Sequence, residues 1–452
     1  MKAFSPVYST PAPNAPVQLF SGPVEIFSTG GRVAACTSAD ASFQWYPEPR
    51  VALDLSLEGV EYDDDDAGVT TLYGLGDDGT LHLPDGTIAP ITLSYFSIGG
   101  ERNYAEGMVR ERGLKPSSTL DSATFHLVNF HHYLPHRDSF EPNTGAHVRH
   151  FDISLPTEEY LVDLDAALEY TWPHSNTDLL RVSGGYALTH FGRFTKVDGS
   201  KFTIAQAQDL IEALTYFFSF CRGHWSPLVL SVGFDAHGKR EWEDWRGYLA
   251  SPWEIGKSCF PCRSYEPESL AGALDAFLTF WKQPDWQPVL KTAIAWYIQA
   301  NTTPSPETKA AMVQVGLELL AWVILVEQSG IISRDGYERL NASDCLRLVL
   351  HQASIPLAIP GSLSHLGAFA KANNITTGPE ALTYLRNAVI HPTVKNIGRV
   401  NSMPMAARSE ATSLALSYLE LVLLYVLSYK GPYADRMKHR ADDDWERPVP
   451  WQ

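Results

Sequence analysis

At 452 residues, with 44% apolar and 19% charged side chains, the chain is too long for one ordinary core and too apolar for intrinsic disorder, so two or three globular domains are expected. The net charge of −17 argues against a uniform nucleic-acid-binding surface, but it is unevenly spread. From Ser269 onward 16 Lys and Arg balance 16 Asp and Glu, which leaves 19 basic against 36 acidic residues before that point.

The opening run Met1 to Pro6 lacks the apolar segment of a signal peptide. Five scattered cysteines (Cys36, Cys221, Cys259, Cys262, Cys345) are too few for a disulfide framework, and a cytoplasmic protein is expected. Residues 1–20, rich in Pro, Ser and Ala, read as an irregular leader. Residues 21–157 read as a β-rich, sandwich-like domain of short strands, such as the alternating Arg50 to Leu57 and Gly79 to Leu83, with Gly and Asp in the turns. Residues 158–263 read as a mixed α/β subdomain grouped with this N-terminal sensor or regulatory unit. It holds an amphipathic helix from Ile204 to Phe218, capped by Thr203 and ended near Gly223, followed by a buried strand from Pro227 to Phe234.

Residues 264–452 change to helical spacing. Apolar positions recur in Leu270–Trp281, Val289–Ala300, Pro306–Gln328, Arg334–Gln352, Pro379–His391 and Glu410–Tyr429, separated by Pro- and Gly-rich breaks. Ser305-Pro306-Glu307 supplies an N-cap, a first-turn proline and a first-turn acid. Ala411–Tyr429 is the most membrane-like stretch, but Glu420 interrupts it, and a buried bundle helix in a protein with no membrane partner is the expectation. The fold class is therefore α+β: a β-rich N-terminal region followed by an all-α, up-and-down bundle.

Within the bundle, Tyr384-Leu385-Arg386-Asn387-Ala388-Val389-Ile390-His391-Pro392 carries the chemistry. Asn387 and His391 share a helix face, and Arg386 can swing to the same mouth. Pro392 disfavours helical backbone at His391, which places the imidazole at a helix end. Cleaving RNA without a metal requires a base for the ribose 2′-hydroxyl, an acid for the leaving 5′-oxygen and a cation for the phosphoryl oxygens. His and Arg suit these tasks. One set holds a single His, so a full acid–base pair would need a second group, which another copy of the chain could provide. Eight basic residues lie between Arg386 and Arg440 against three acidic ones, a strip in which Lys395, Arg399 and Arg408 are the candidate RNA contacts.

This passage resembles the HEPN signature, an Arg followed within a few residues by a His, often with a polar residue beside the Arg. The layout resembles ApeA-type anti-phage defence proteins, with a β-rich N-terminal domain before a C-terminal HEPN bundle. The resemblance implies a metal-independent endoribonuclease without cofactor, toxic in abortive infection, acting on RNA such as tRNA, self-associating through the bundle and released by a phage-derived trigger. It implies catalytic roles for Arg386, Asn387 and His391, with the motif on the second-to-last helix. It adds Glu318 as an acid on an early helix. The competing reading is a non-catalytic HEPN adaptor with a ligand-binding β-rich domain.

Other clusters read as structural. The histidines at 126, 131, 132, 136, 147 and 150 lack a zinc-binding pattern, and Cys259–Cys262 is a lone CxxC without a second pair, so no metal is expected. Asp63 to Asp66 lacks the alternation and Gly kink of a calcium loop. Trp242 to Tyr248 reads as a packed aromatic seam.

Overall fold

The computed structural model describes residues 6–8, 12–46, 48–58, 60–62, 72, 74–75, 79–97, 103–109, 119–130, 137–140, 147–170, 176–254, 267–390, 393–438 and 445–452. Side chains at 37, 61–62, 137–140, 147–152, 166–170, 176–178, 267–269, 388–389, 395 and 397 lie outside that description.

The first unit is a closed barrel. Its strands are β1 (Val17–Ser28), β2 (Gly31–Gln44), β3 (Arg50–Ser56), β4 (Glu61–Tyr62), β5 (Gly79–His82), β6 (Ile88–Ser97) and β7 (Tyr104–Val109). The order β1-β5-β6-β7-β3-β2 returns to β1, because β1 pairs antiparallel with both β5 and β2; β4 adds to β2 outside the ring. Val51, Leu53 and Leu55 of β3 alternate into the core as the sequence predicts. The expected sandwich is corrected to a barrel. The long strands β1 and β2 carry register shifts that bend them, so that each can serve two partners and close the ring. Alternation shows which side chains face inward but not which strands pair.

The second unit is one antiparallel sheet. It is built from β8 (Thr119–Leu120), β9 (Ser122–Val128), β10 (Arg137–Phe140), β11 (His147–Pro156), β12 (Tyr160–Tyr170), α1 (Asn176–Ser183), β13 (Leu188–Lys196), β14 (Phe202–Thr203), α2 (Ile204–Arg222), β15 (Leu228–Phe234) and β16 (Arg240–Glu243). The seven-stranded order is β10-β11-β12-β13-β9-β15-β16, with β8 and β14 forming a separate pair. The boundary expected at 157/158 falls inside the β11–β12 hairpin, where Leu155 faces Val162 across hydrogen-bonded strands. The β-rich text belongs to two units, and the second begins by Thr119. Helix α2 forms as expected: Thr203 and Gln206 make a reciprocal capping box, and Gly223 ends the helix at φ 79°.

The helical part runs α3 (Pro267–Trp281), α4 (Trp286–Thr302), α5 (Pro306–Trp322), a π-helical turn (Val323–Gln328), α6 (Arg334–Glu338), α7 (Ala342–Gln352), α8 (Ser364–Ala372), α9 (Gly378–Ile390), α10 (Val394–Asn401) and α11 (Met405–Val426), then the ribbon β17 (Pro432–Ala434) and β18 (Glu446–Pro448). Helix α5 is central and packs on α4, α7, α9 and α11. Pro306–Gln328 and Met405–Val426 are long and apolar enough to span a bilayer, yet both pack into the bundle. The expected Arg334–Gln352 helix is broken, because Asn341 caps a new start by accepting from the Asp344 N–H. The short helices α8 and α10 were not expected. With α10 inserted, the Arg386 helix is third from last among the described residues rather than second to last.

Helix α2 joins the sheet to the bundle. Phe217 meets Phe277 of α3 at 5.5 Å, and Phe220 meets Tyr297 of α4 at 5.5 Å. Trp281 donates to Asp209 at 3.1 Å, and Lys291 pairs with Glu212 at 2.8 Å. One apolar core therefore runs from the central sheet into the helices, so the mixed unit is as much the floor of the bundle as a partner of the barrel. The barrel meets the central sheet along the aromatic seam. Trp245 is 1% exposed in the barrel core, and the Tyr248 N–H donates to Pro49 O at 2.9 Å.

Candidate active site

Helix α9 is fixed at its start by Glu380, whose carboxylate accepts from the Thr376 N–H at 2.6 Å and pairs with Arg347 of α7. Leu382 and Leu385 are buried on its inner face. The described part of the helix runs to Ile390. His391 and Pro392 lie outside the described residues.

Arg386 and Asn387 stand on the last turn and a half. Arg386 Nη1 donates to Asn387 Oδ1 at 3.2 Å, and Nη2 lies 3.8 Å from Glu318 Oε1 on α5. Glu318 also accepts from Gln314 Nε2 at 2.7 Å, and its backbone carbonyl accepts from the Tyr337 hydroxyl at 3.2 Å. The Arg386 side chain is 16% exposed and that of Glu318 33%. Three of the four candidate catalytic residues are thus in one cluster, drawn from two helices 68 positions apart in sequence number for the Arg386–Glu318 pair.

The cluster contains unspent hydrogen-bonding capacity. Among the described residues, Arg386 Nε and Gln314 Oε1 are buried without a hydrogen-bond partner, and so is Thr383 Oγ1 one turn before Arg386. Gln314, 0% exposed in an apolar helix, was not singled out from the sequence. Its position one turn before Glu318 is the signal that could have found it.

The basic strip does not survive folding as a strip. Arg408 donates from Nε to Met403 O at 2.8 Å, from Nη2 to Val400 O at 2.7 Å and from Nη1 to Glu307 Oε1 at 2.8 Å. At 15% exposure this guanidinium clamps the start of α11 to α5 and the end of α10, and it leaves the RNA-contact set. Arg436 is buried against Glu420, which also accepts from Tyr297 at 2.7 Å. Arg399 is exposed on α10, which Tyr384 ties to α9 by donating to Arg399 O at 3.5 Å. Lys395 lies on the same helix, its side chain outside the description. Linear charge counting leaves out Glu307, which lies outside the strip and folds onto Arg408.

Ile390, one turn beyond Arg386 on α9, is 39% exposed, and Val394 of α10 and Met405 of α11 are 92% and 61% exposed. Elsewhere, His126 is buried in the central sheet, where its Nε2 accepts from the Tyr8 N–H at 3.2 Å, and burial lowers its pKa to about 4. His131, His132, His136, Asp63 to Asp66 and Cys259–Cys262 lie outside the described residues, as do the side chains of His147 and His150. Among the described residues no three His, Cys, Asp or Glu gather as metal ligands.

Residues 115–256 match the YopA central domain, and residues 283–446 match the YopA C-terminal domain. These spans follow the central sheet and the helices from α4 onward. The chain is 28% identical over 378 residues to the SPbeta prophage-derived uncharacterized protein YopA of Bacillus subtilis (strain 168), covering 82% of each chain. No solved structure matches. Neither matching domain carries a HEPN or ApeA-type description, so that reading rests on the residues themselves.

Proposed function

We propose that the helical unit is a metal-independent RNA endonuclease of the HEPN type, with Arg386, Asn387 and His391 at the reacting phosphate and Glu318 as the positioning residue for Arg386. The observation that carries this reading is the polar cluster between α5 and α9. It brings the Arg386 guanidinium, the Asn387 amide and the Glu318 carboxylate together on two packed helices, with three buried polar atoms that have no partner among the described residues.

In the proposed reaction a base takes the 2′-hydroxyl proton, the 2′-oxygen bonds to the adjacent phosphorus, and the P–O5′ bond breaks. An acid protonates the departing 5′-oxygen, leaving a 2′,3′-cyclic phosphate and a 5′-hydroxyl. His391 serves as one of the two proton carriers. Arg386 neutralises the phosphoryl oxygens, and Asn387 hydrogen-bonds the phosphate or orients the imidazole. The second proton carrier comes from another copy of the chain. Exposed Ile390, one turn beyond Arg386, gives such a copy an apolar contact beside the site. Arg399 and Lys395 lie beside the same helix as phosphate contacts for the RNA.

The barrel and central sheet sense a trigger or restrain the bundle, and the protein works in the cytoplasm. The prophage origin of the YopA relative suits a role in conflict with phage. The test is expression of wild type, Arg386→Ala and His391→Ala chains with growth and RNA integrity followed during phage challenge. Growth arrest and RNA breakage confined to wild type support the nuclease. Equal protection by the His391→Ala chain would instead favour a non-catalytic adaptor.

A further inference from the structure

A cavity of about 420 Å³ lies between α3, the π-helical turn, the end of α11 and the C-terminal tail, built from residues that the proposed nuclease site does not use. Its floor is apolar: Ile324 and Val426 are 4% and 7% exposed, with Phe280 beside them. One wall is held in place before any ligand arrives. The Trp451 indole donates to Tyr429 O at 2.9 Å and meets the Tyr425 ring edge-on at 5.5 Å.

The rim is polar. Gln328, Ser428 and Lys430 are exposed, and among the described residues no ion pair holds Lys430. The π-helical turn sets Gln328 above Ile324, so one irregular turn supplies both rim and floor. Ser428 adopts φ 52°, a conformation that costs a side-chain-bearing residue about 1–2 kcal/mol. Gly or Asn is usual there, and Ser puts a hydroxyl on the rim instead.

An apolar floor, a fixed aromatic wall and one cation among neutral hydrogen-bonding groups fit a ligand with an apolar body and one anionic head. We infer that this cavity binds a single-chain amphiphile with an anionic head group, its tail on Ile324 and Val426 and its head at Lys430, Gln328 and Ser428.

Calorimetric titration of the full chain with decanoate, below its micelle concentration, tests this. One decanoate should bind per chain, decanol should bind about tenfold more weakly, and Lys430→Met should lower decanoate affinity about tenfold while Lys430→Arg keeps it. Gln328→Trp, which fills the mouth from an exposed position, should abolish binding, with thermal unfolding as the check that it folds. If it does not fold, the Lys430 pair decides alone. No binding of decanoate, or equal affinity in wild type and Lys430→Met, overturns the proposal. So does binding only to phosphatidylglycerol vesicles, which would mark a membrane-contacting surface rather than a pocket for single molecules.

Discussion

Arg386 on α9 stands 3.8 Å from Glu318 on α5, and Glu318 is itself held by Gln314 one turn earlier at 2.7 Å. The arginine is therefore held from two sides, by Glu318 of a second helix and by Asn387 of its own. A guanidinium with five donors can keep Glu318 and Asn387 and still offer N–H groups to a phosphate. Glu318→Gln keeps the volume and removes the charge that draws Arg386 in. Because the pair is long and partly exposed, the change should cost no more than about 1 kcal/mol of stability. RNA cleavage should fall about tenfold, mainly in kcat. An unchanged kcat with a lowered unfolding midpoint would make Glu318 merely structural.

Arg408 should behave oppositely. Arg408→Ala strips donors from two backbone carbonyls and from Glu307, so a loss of about 2–3 kcal/mol is expected in urea unfolding. The salt dependence of RNA binding should not change, whereas Arg399→Ala should lower its slope by about one. A shallower slope in the Arg408 variant would return that residue to the RNA surface.

Glu420 and Arg436 form a buried ion pair, with side chains 3% and 6% exposed. Glu420→Ala would strand the arginine charge and should cost about 3–5 kcal/mol, while Glu420→Leu with Arg436→Met should recover most of that loss. A double-mutant cycle in thermal unfolding reads the coupling; additive losses would count against the pair as the tie between α11 and the C-terminal ribbon.

Helix existence was legible in the sequence where amphipathic spacing and caps agree, as in α2 with Thr203 and Gly223, or α5 with Ser305 and Pro306. Barrel closure was not, because pairing of β1 with both β2 and β5 depends on bulges that leave the inside–outside alternation intact. The domain boundary was misplaced for a related reason: strands of the barrel and of the central sheet share one alternating pattern. Arg386 and Asn387 stood out as a local string. Gln314 did not, since its meaning comes from the packing of α5 on α9. Charge counting failed at Arg408, whose acidic partner Glu307 is 101 residues away, while Arg436 is buried against Glu420 of the same strip.

His126 gives the fold a pH dependence of known sign. Its folded pKa of about 4 lies below the ordinary 6.5, so the unfolded chain binds the proton more tightly. Its contribution is complete above about pH 6.5 and is lost progressively as pH falls toward 4, a change on the order of 3 kcal/mol. His126→Gln should flatten the slope of stability against pH between those values. An unchanged slope in urea midpoints would mean that His126 is already protonated in the fold.

The ribonuclease reading is tested by incubating the purified 452-residue chain with end-labelled total tRNA in EDTA, beside Arg386→Ala and His391→Ala variants of equal thermal stability. Cleavage is expected from wild type only, with 2′,3′-cyclic phosphate and 5′-hydroxyl ends, and at least a hundredfold loss (about 2.7 kcal/mol of barrier) in each variant. Cleavage at the wild-type rate by the His391→Ala chain, or products with 5′-phosphate ends, would contradict that reading.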